Sequence, residues 1–180
     1  MVGAAWTRLG AVLLACACIG SCSTFRTPAR PAAVRPTSPV HLAPPPADRD
    51  VNEAILQAHN VERTRRRRPP LVLNPELTQA AQAHADDMAR RGKMAHRGGD
   101  GSSPFERMKR VGYSFQAAGE NVAYGFDRVD AVMAGWMHSP GHRRNILGDY
   151  TEIGVGRAIA PGGVLYYCVT FGTPGAGDFP

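Results

Sequence analysis

Prolines govern the first quarter of this chain. Between Ser23 and Asp50 stand Pro28, Pro31, Pro36, Pro39 and the triplet Pro44-Pro45-Pro46, set among alanine, serine and threonine. Each proline locks φ and removes a backbone donor, so neither a helix nor a strand ladder runs through the stretch. It reads as an extended tether of about 28 residues, which in polyproline form at ~3.1 Å per residue reaches several nanometres. Of the 180 residues, those beyond about residue 50 are left to build a core. One domain of ordinary size is expected there.

Ahead of the tether, Met1–Arg8 holds a single positive charge and Leu9–Gly20 is apolar throughout. That run is too short to span a bilayer and has the make-up of a signal peptide over residues 1–21. Ile19-Gly20-Ser21-Cys22 places an aliphatic and two small residues before a cysteine, a pattern that resembles the lipobox of bacterial lipoproteins. The resemblance implies that Cys22 is acylated, so that the chain is a secreted, cell-surface lipoprotein facing the outside of the cytoplasmic membrane or the periplasm. The alternative is a plain secretory leader that leaves no lipid. The expected organisation is then leader 1–21, lipidated cysteine and tether 22–50, folded domain 51–173 and flexible tail 174–180.

With Cys16 and Cys18 in the leader and Cys22 acylated, only Cys168 remains as a thiol of the folded domain, so no internal disulfide can staple it. Cys168 sits in the β-rich run Val164–Phe171 and reads as buried and inert. The formal charge is +6, and the leader removes one basic and no acidic residue, leaving +5. Much of the excess is the block of Arg63 and Arg65–Arg68, which by charge alone suits anionic lipid headgroups, wall polymers or nucleic acid. No aromatic residue interleaves with these arginines, so a solvated loop is the favoured reading and nucleic acid is not an expected partner.

Helical periodicity begins at Val51. Val51, Ala54, Ile55, Ala58 and Val61 form the expected face of a first helix that ends before Pro69-Pro70. Asn74 and Pro75 open a second, whose stripe is Leu77, Ala80, Ala81, His84, Ala85 and Met88 and whose end is Gly92; His84 is expected as a hydrogen-bonded core histidine. Ser103-Pro104-Phe105-Glu106 predicts a capping box, followed by a strand from Tyr113 to about Gln116. Asp127 starts a helix burying Val129, Val132, Met133, Trp136 and Met137, and Ser139-Pro140 caps a short one running from His142 to Leu147. Thr151–Ala160 and Val164–Phe171, joined by Pro161-Gly162-Gly163, predict a closing hairpin. Helices with a small antiparallel sheet make the class α+β.

Four pieces then occur in order: Ala95-His96-Arg97-Gly98, Gly119-Glu120-Asn121-Val122-Ala123, Trp136 to Leu147, and Tyr150-Thr151-Glu152-Ile153-Gly154-Val155-Gly156. With Asn60–Arg63, Leu71–Leu77 and the Tyr-rich last strand, this set resembles the bacterial branch of the CAP superfamily (cysteine-rich secretory, antigen 5 and pathogenesis-related proteins) over about residues 52 to 172. The resemblance implies an α-β-α sandwich, with a three-stranded antiparallel sheet between helices and an open cleft lined by His96, Glu120 and His142. Two imidazoles and a carboxylate from separate segments also make, on their own chemistry, a plausible zinc or acid–base set. His142 falls in the first turn of its helix, where the helix's positive end disfavours imidazolium and leaves a lone pair for a metal.

Each residue has a structural alternative. Glu120 and Asn121 are also suited to bonding buried backbone, and His142, Arg143 and Asn145 to packing the short helix. Many relatives carry a second glutamate three residues after the helix tryptophan; Ser139 stands there, and Glu152 is the nearest substitute. The expected function is that of an extracellular surface module, with a membrane partner through the lipid and a lipid, wall fragment or protein as ligand. His96 and His142 are its candidate zinc ligands. A zinc-dependent hydrolase acting on peptides or wall material, with Glu120 as general base, is the alternative. An enzyme is the less favoured of the two, because no nucleophile stands in a Gly-x-Ser-x-Gly elbow.

Overall fold

The computed structural model describes residues 48–175. The expected leader, Cys22 and nearly all of the expected tether and tail lie outside the described residues. Helix α1, Asp48–Thr64, starts ahead of the expected boundary at Val51. Its buried stripe is Val51, Ile55, His59 and Arg63, whereas Ala54 and Val61 of the expected face are exposed. Two polar residues displace aliphatic ones because the core satisfies them. His59 Nδ1–H donates to Ile55 O at 2.7 Å, and its ring lies between Trp136 and Phe171. Arg63 reaches Pro69 O (2.7 Å), Ile146 O and Gly148 O (2.8 Å each) and Tyr150 O (3.0 Å). Arg63 therefore leaves the solvated arginine loop and becomes a buried staple.

Helix α2, Pro75–Arg91, follows the sequence expectation closely. Asn74 accepts from Leu77 N, Gly92 takes the left-handed conformation at φ 61°, and the buried set is the expected stripe with Ala89 added. Helix α3, Pro104–Arg110, carries the full Ser103/Glu106 capping box. Helices α4, Val129–His138, and α5, Pro140–Ile146, meet at Ser139, whose side chain makes no capping bond to either. Among the described residues no helix is long and apolar enough to cross a membrane.

The sheet has four strands, one more than expected: β1 Val72–Leu73, β2 Phe115–Tyr124, β3 Glu152–Ile159 and β4 Leu165–Pro174. Their order is β1-β3-β4-β2, with β1 parallel to β3 and the rest antiparallel. Two residues are too few to show a period, which is why β1 is silent in the sequence. Strand β2 runs well past Gln116, because the Gly119–Ala123 stretch pairs residue for residue with Phe171–Tyr167 of β4. Tyr167, Val169 and Phe171 face α1, α4 and α5, while Tyr166, Cys168 and Val122 face α2, which gives the α-β-α sandwich. On the α2 side the approach is extreme. A Cβ at Gly154 would stand 2.1 Å from Leu77 C, and one at Gly156 would stand 2.4 Å from Ala81 C, so only glycine lets helix backbone rest on strand backbone.

Among the described residues no strand covers the outer edge of β2, and side chains do the work of one. Tyr150 OH donates to Ala118 O (3.3 Å), Asn145 Nδ2 to Glu120 O (3.0 Å) and Trp136 Nε1 to Val122 O (3.1 Å). An otherwise sticky edge is blunted. The same bonds fix α5 against the middle of β2, beside Glu120.

Candidate functional site

The segment between α2 and α3 carries His96, and two buried side chains hold it from behind. His84 Nε2–H donates to Ala95 O at 2.8 Å, and Arg107 Nη2 donates to the next carbonyl, His96 O, at 3.0 Å. His84 is thus the hydrogen-bonded core histidine expected. A carbonyl only accepts, so its proton sits on Nε2 and Nδ1 is left buried without a partner. Burial foremost lowers its proton affinity.

Strand β2 delivers Glu120 to the α2 face, where its side chain is 2 % exposed. Oε1 accepts from His96 Nδ1 at 2.8 Å. Oε2 accepts from Arg107 Nη2 at 2.6 Å and from the Cys168 thiol at 3.4 Å. Arg107 is itself buried and also donates to Ser102 O at 2.9 Å. Both carboxylate oxygens are therefore occupied, one by a fixed cation. The hydrogen bond that His96 donates to Glu120 is the main cause that raises the His96 pKa. Once that ring is neutral its proton stays on Nδ1, and the lone pair lies on Nε2 of a side chain 55 % exposed. Burial pushes the Cys168 thiol well up, in keeping with an inert cysteine.

His142 enters from α5. Asn121 Nδ2 donates to His142 O at 3.1 Å, and Asn145 Nδ2 bonds Asn121 Oδ1 at 2.9 Å, so the turn carrying the ring is tied to β2. Its proton affinity is lowered, the direction expected; burial is the first cause and the charge of His96 the second. The charge of His96 thus reaches His142 and makes that ring harder to protonate.

A family model for the cysteine-rich secretory protein (CAP) family matches residues 56–171 of the chain, from the middle of α1 to β4. This protein belongs to the CAP family. Two Bacillus subtilis proteins are similar to it over 103 residues, 57 % of this chain: YkwD at 38 % identity and the membrane protein YlbC at 34 %. The matched stretch spans 40 % and 30 % of those relatives' own lengths. Among solved structures, an outer surface protein of Borrelia burgdorferi is similar with a TM-score of 0.66 at 21 % identity, covering 71 % of this chain and 95 % of that one. An extracellular SCP-domain protein of Bacillus anthracis gives 0.62 at 26 % identity, over 72 % and 45 %.

Within this CAP domain the structure brings His96 and Glu120 into direct contact and sets His142 in electrostatic reach. Glu152 does not join them. It opens β3, with β4 between it and the strand of Glu120, and its carboxylate accepts from Tyr113 OH (2.6 Å) and Asn74 Nδ2 (3.4 Å). Among the described residues no group of three or more His, Cys, Asp or Glu gathers closely enough to hold a metal ion. The Ser139 position is not filled by another acid from this set. Nothing in the sequence singles out Arg107 from Lys109 and Arg110, its basic neighbours in the same seven-residue helix. The requirement that a buried Glu120 find a cation is the signal that points to it. The structural alternatives are found in part: Asn121 donates to helix backbone and Asn145 ties the short helix to β2, whereas the Glu120 carboxylate meets side chains and not backbone.

Proposed function

We propose that this CAP domain is an extracellular module held at a cell surface through Cys22, binding a small lipid, a wall fragment or a protein at the surface where His96 is exposed, within electrostatic reach of His142. A divalent metal, zinc in the simplest case, suits the two imidazoles. His96 has the carboxylate-oriented arrangement of a metal-binding histidine, and His142 is kept from protonating by burial and by its neighbour. Two protein ligands leave the remaining positions to water or to the bound molecule, so the ion is expected to be weakly held and exchangeable. When bound, it would act as a Lewis acid toward an oxygen of that molecule.

The observation that carries the reading is the state of Glu120. A hydrolase needs a carboxylate free to take a proton from water, and here one oxygen is spent on Arg107 and the other on His96. Glu120 orients and does not act as base, which favours binding over turnover. Extracellular and outer-surface settings of structural relatives support the placement.

Calorimetric titration of the purified chain with zinc above neutral pH tests this. Binding is expected to vanish in His96→Ala and in His142→Ala, and to weaken about 10–100-fold in Glu120→Gln. Because protons compete for a His96 whose pKa is raised, affinity should climb with pH until that ring is neutral. Zinc uptake unchanged in both alanine variants contradicts the metal reading. Turnover of wall peptides by wild type that is lost in Glu120→Gln, with zinc still bound, would restore the hydrolase.

A further inference from the structure

The end of α1 is built oddly for a chain concerned only with folding. Arg68 N–H donates to Arg63 O and Arg67 N–H to Thr64 O, both at 3.0 Å, and Arg67 has φ 58°. This is a Schellman turn with an arginine in the left-handed position that glycine ordinarily fills, because a side chain there crowds its own backbone. Arg67 is the only non-glycine with positive φ among the described residues. A residue held at a cost to its own backbone is a place to look for a side chain with a role outside the fold.

That turn is fastened to α5. Arg63 bonds the carbonyls of Ile146 and Gly148, Arg68 pairs with Asp149, and α5 carries the exposed Arg143 and Arg144. Arg65 to Arg68 and this second pair of arginines are countered locally by Glu62 and Asp149, leaving the face strongly positive. Apolar surface runs between the two basic groups. A hollow lined by Val61, Glu62, Met137 and His138 continues into one lined by Met137, His138, Arg143, Arg144 and Leu147, and Val61 is 48 % exposed. Asp130, at the rim of the first hollow, is taken by Arg128.

We infer that this face, the C-terminal turn of α1 with α5, docks on a bilayer surface rich in anionic lipid. Guanidinium groups match phosphate headgroups, and an apolar seam between them suits the headgroup–acyl boundary, whereas a hydrated anionic polymer has no use for it. The inference rests on the reading that the chain works at a membrane through Cys22, and it adds which face looks toward that membrane.

Cosedimentation of the full chain carrying Cys22→Ser, so that no acyl group contributes, tests it with vesicles of phosphatidylcholine alone or mixed equally with phosphatidylglycerol. The mixed vesicles are expected to retain the chain more strongly, and added salt to release it. Arg67→Gly is expected to lower partition about fivefold while the melting temperature holds or rises, since glycine relieves the turn. Equal retention by both vesicle types, or an Arg67→Gly chain that partitions like its parent, overturns the inference. So does retention on a glycerol-phosphate polymer without vesicle binding, which assigns the face to the wall. Vesicle binding by the Cys22→Ser chain supports the docking face whether or not labelled palmitate enters Cys22 of the parent, so the two readings fail separately.

Discussion

Arg107 and Glu120 are mutually dependent, because each is a buried charge whose compensation is the other. Removing one leaves the partner unpaired in a poorly solvated site, at about 3–5 kcal/mol. Arg107→Met alone should therefore destabilise by roughly that amount in urea unfolding, and Arg107→Met with Glu120→Gln by clearly less than the sum of the single changes. Additive losses would mean the two act apart. A second test lies at His59, which is wholly buried and whose pKa burial lowers from 6.5 to about 4. The unfolded chain takes up a proton between those values and the native chain does not. Stability is thus full above pH 6.5 and falls as pH drops toward 4, by about 3 kcal/mol in total. His59→Phe should flatten this slope; an unchanged slope would place the acid sensitivity elsewhere.

Among the elements, α2 and β3 show what a sequence makes legible. Asn74, Pro75, the apolar stripe and Gly92 announce the helix in full, since caps and period are local facts. The face of α1 departs from expectation because its determinants are not local. Apolarity picks out Val61, whereas burial selects His59 and Arg63, whose partners lie in α4, β4 and the loop after α5, far along the chain. Gly154 and Gly156 stand in a motif, yet their meaning appears only when α2 lies across them. Gly154→Ala is expected to destabilise by at least about 3 kcal/mol, more than an ordinary overpacked core position, because the clash is with backbone that no rotamer can relieve. A melting temperature close to the parent's would show that α2 sits further from the sheet than described.

For the molecule as a whole, the sandwich and the meeting of His96 with Glu120 are legible in the sequence because ordered motifs carry them. What braces those residues is not. Arg107 behind Glu120, His84 behind Ala95 and the side-chain cover along β2 are contacts between segments, and no spacing encodes them. The Glu152 position shows the converse, for a carboxylate within one of those motifs is drawn to Tyr113 by the register of the sheet. Glu120, braced by Arg107, orients His96, and His142 lies within electrostatic reach of that ring. Histidine NMR titration in the presence and absence of zinc measures this directly. His96 should titrate above 6.5 and return toward it in Glu120→Gln, His142 should titrate below 6.5, and zinc should shift His96 and His142 while sparing His59 and His84. Ordinary titration of both cleft rings, with zinc disturbing neither or disturbing the core histidines equally, would contradict it.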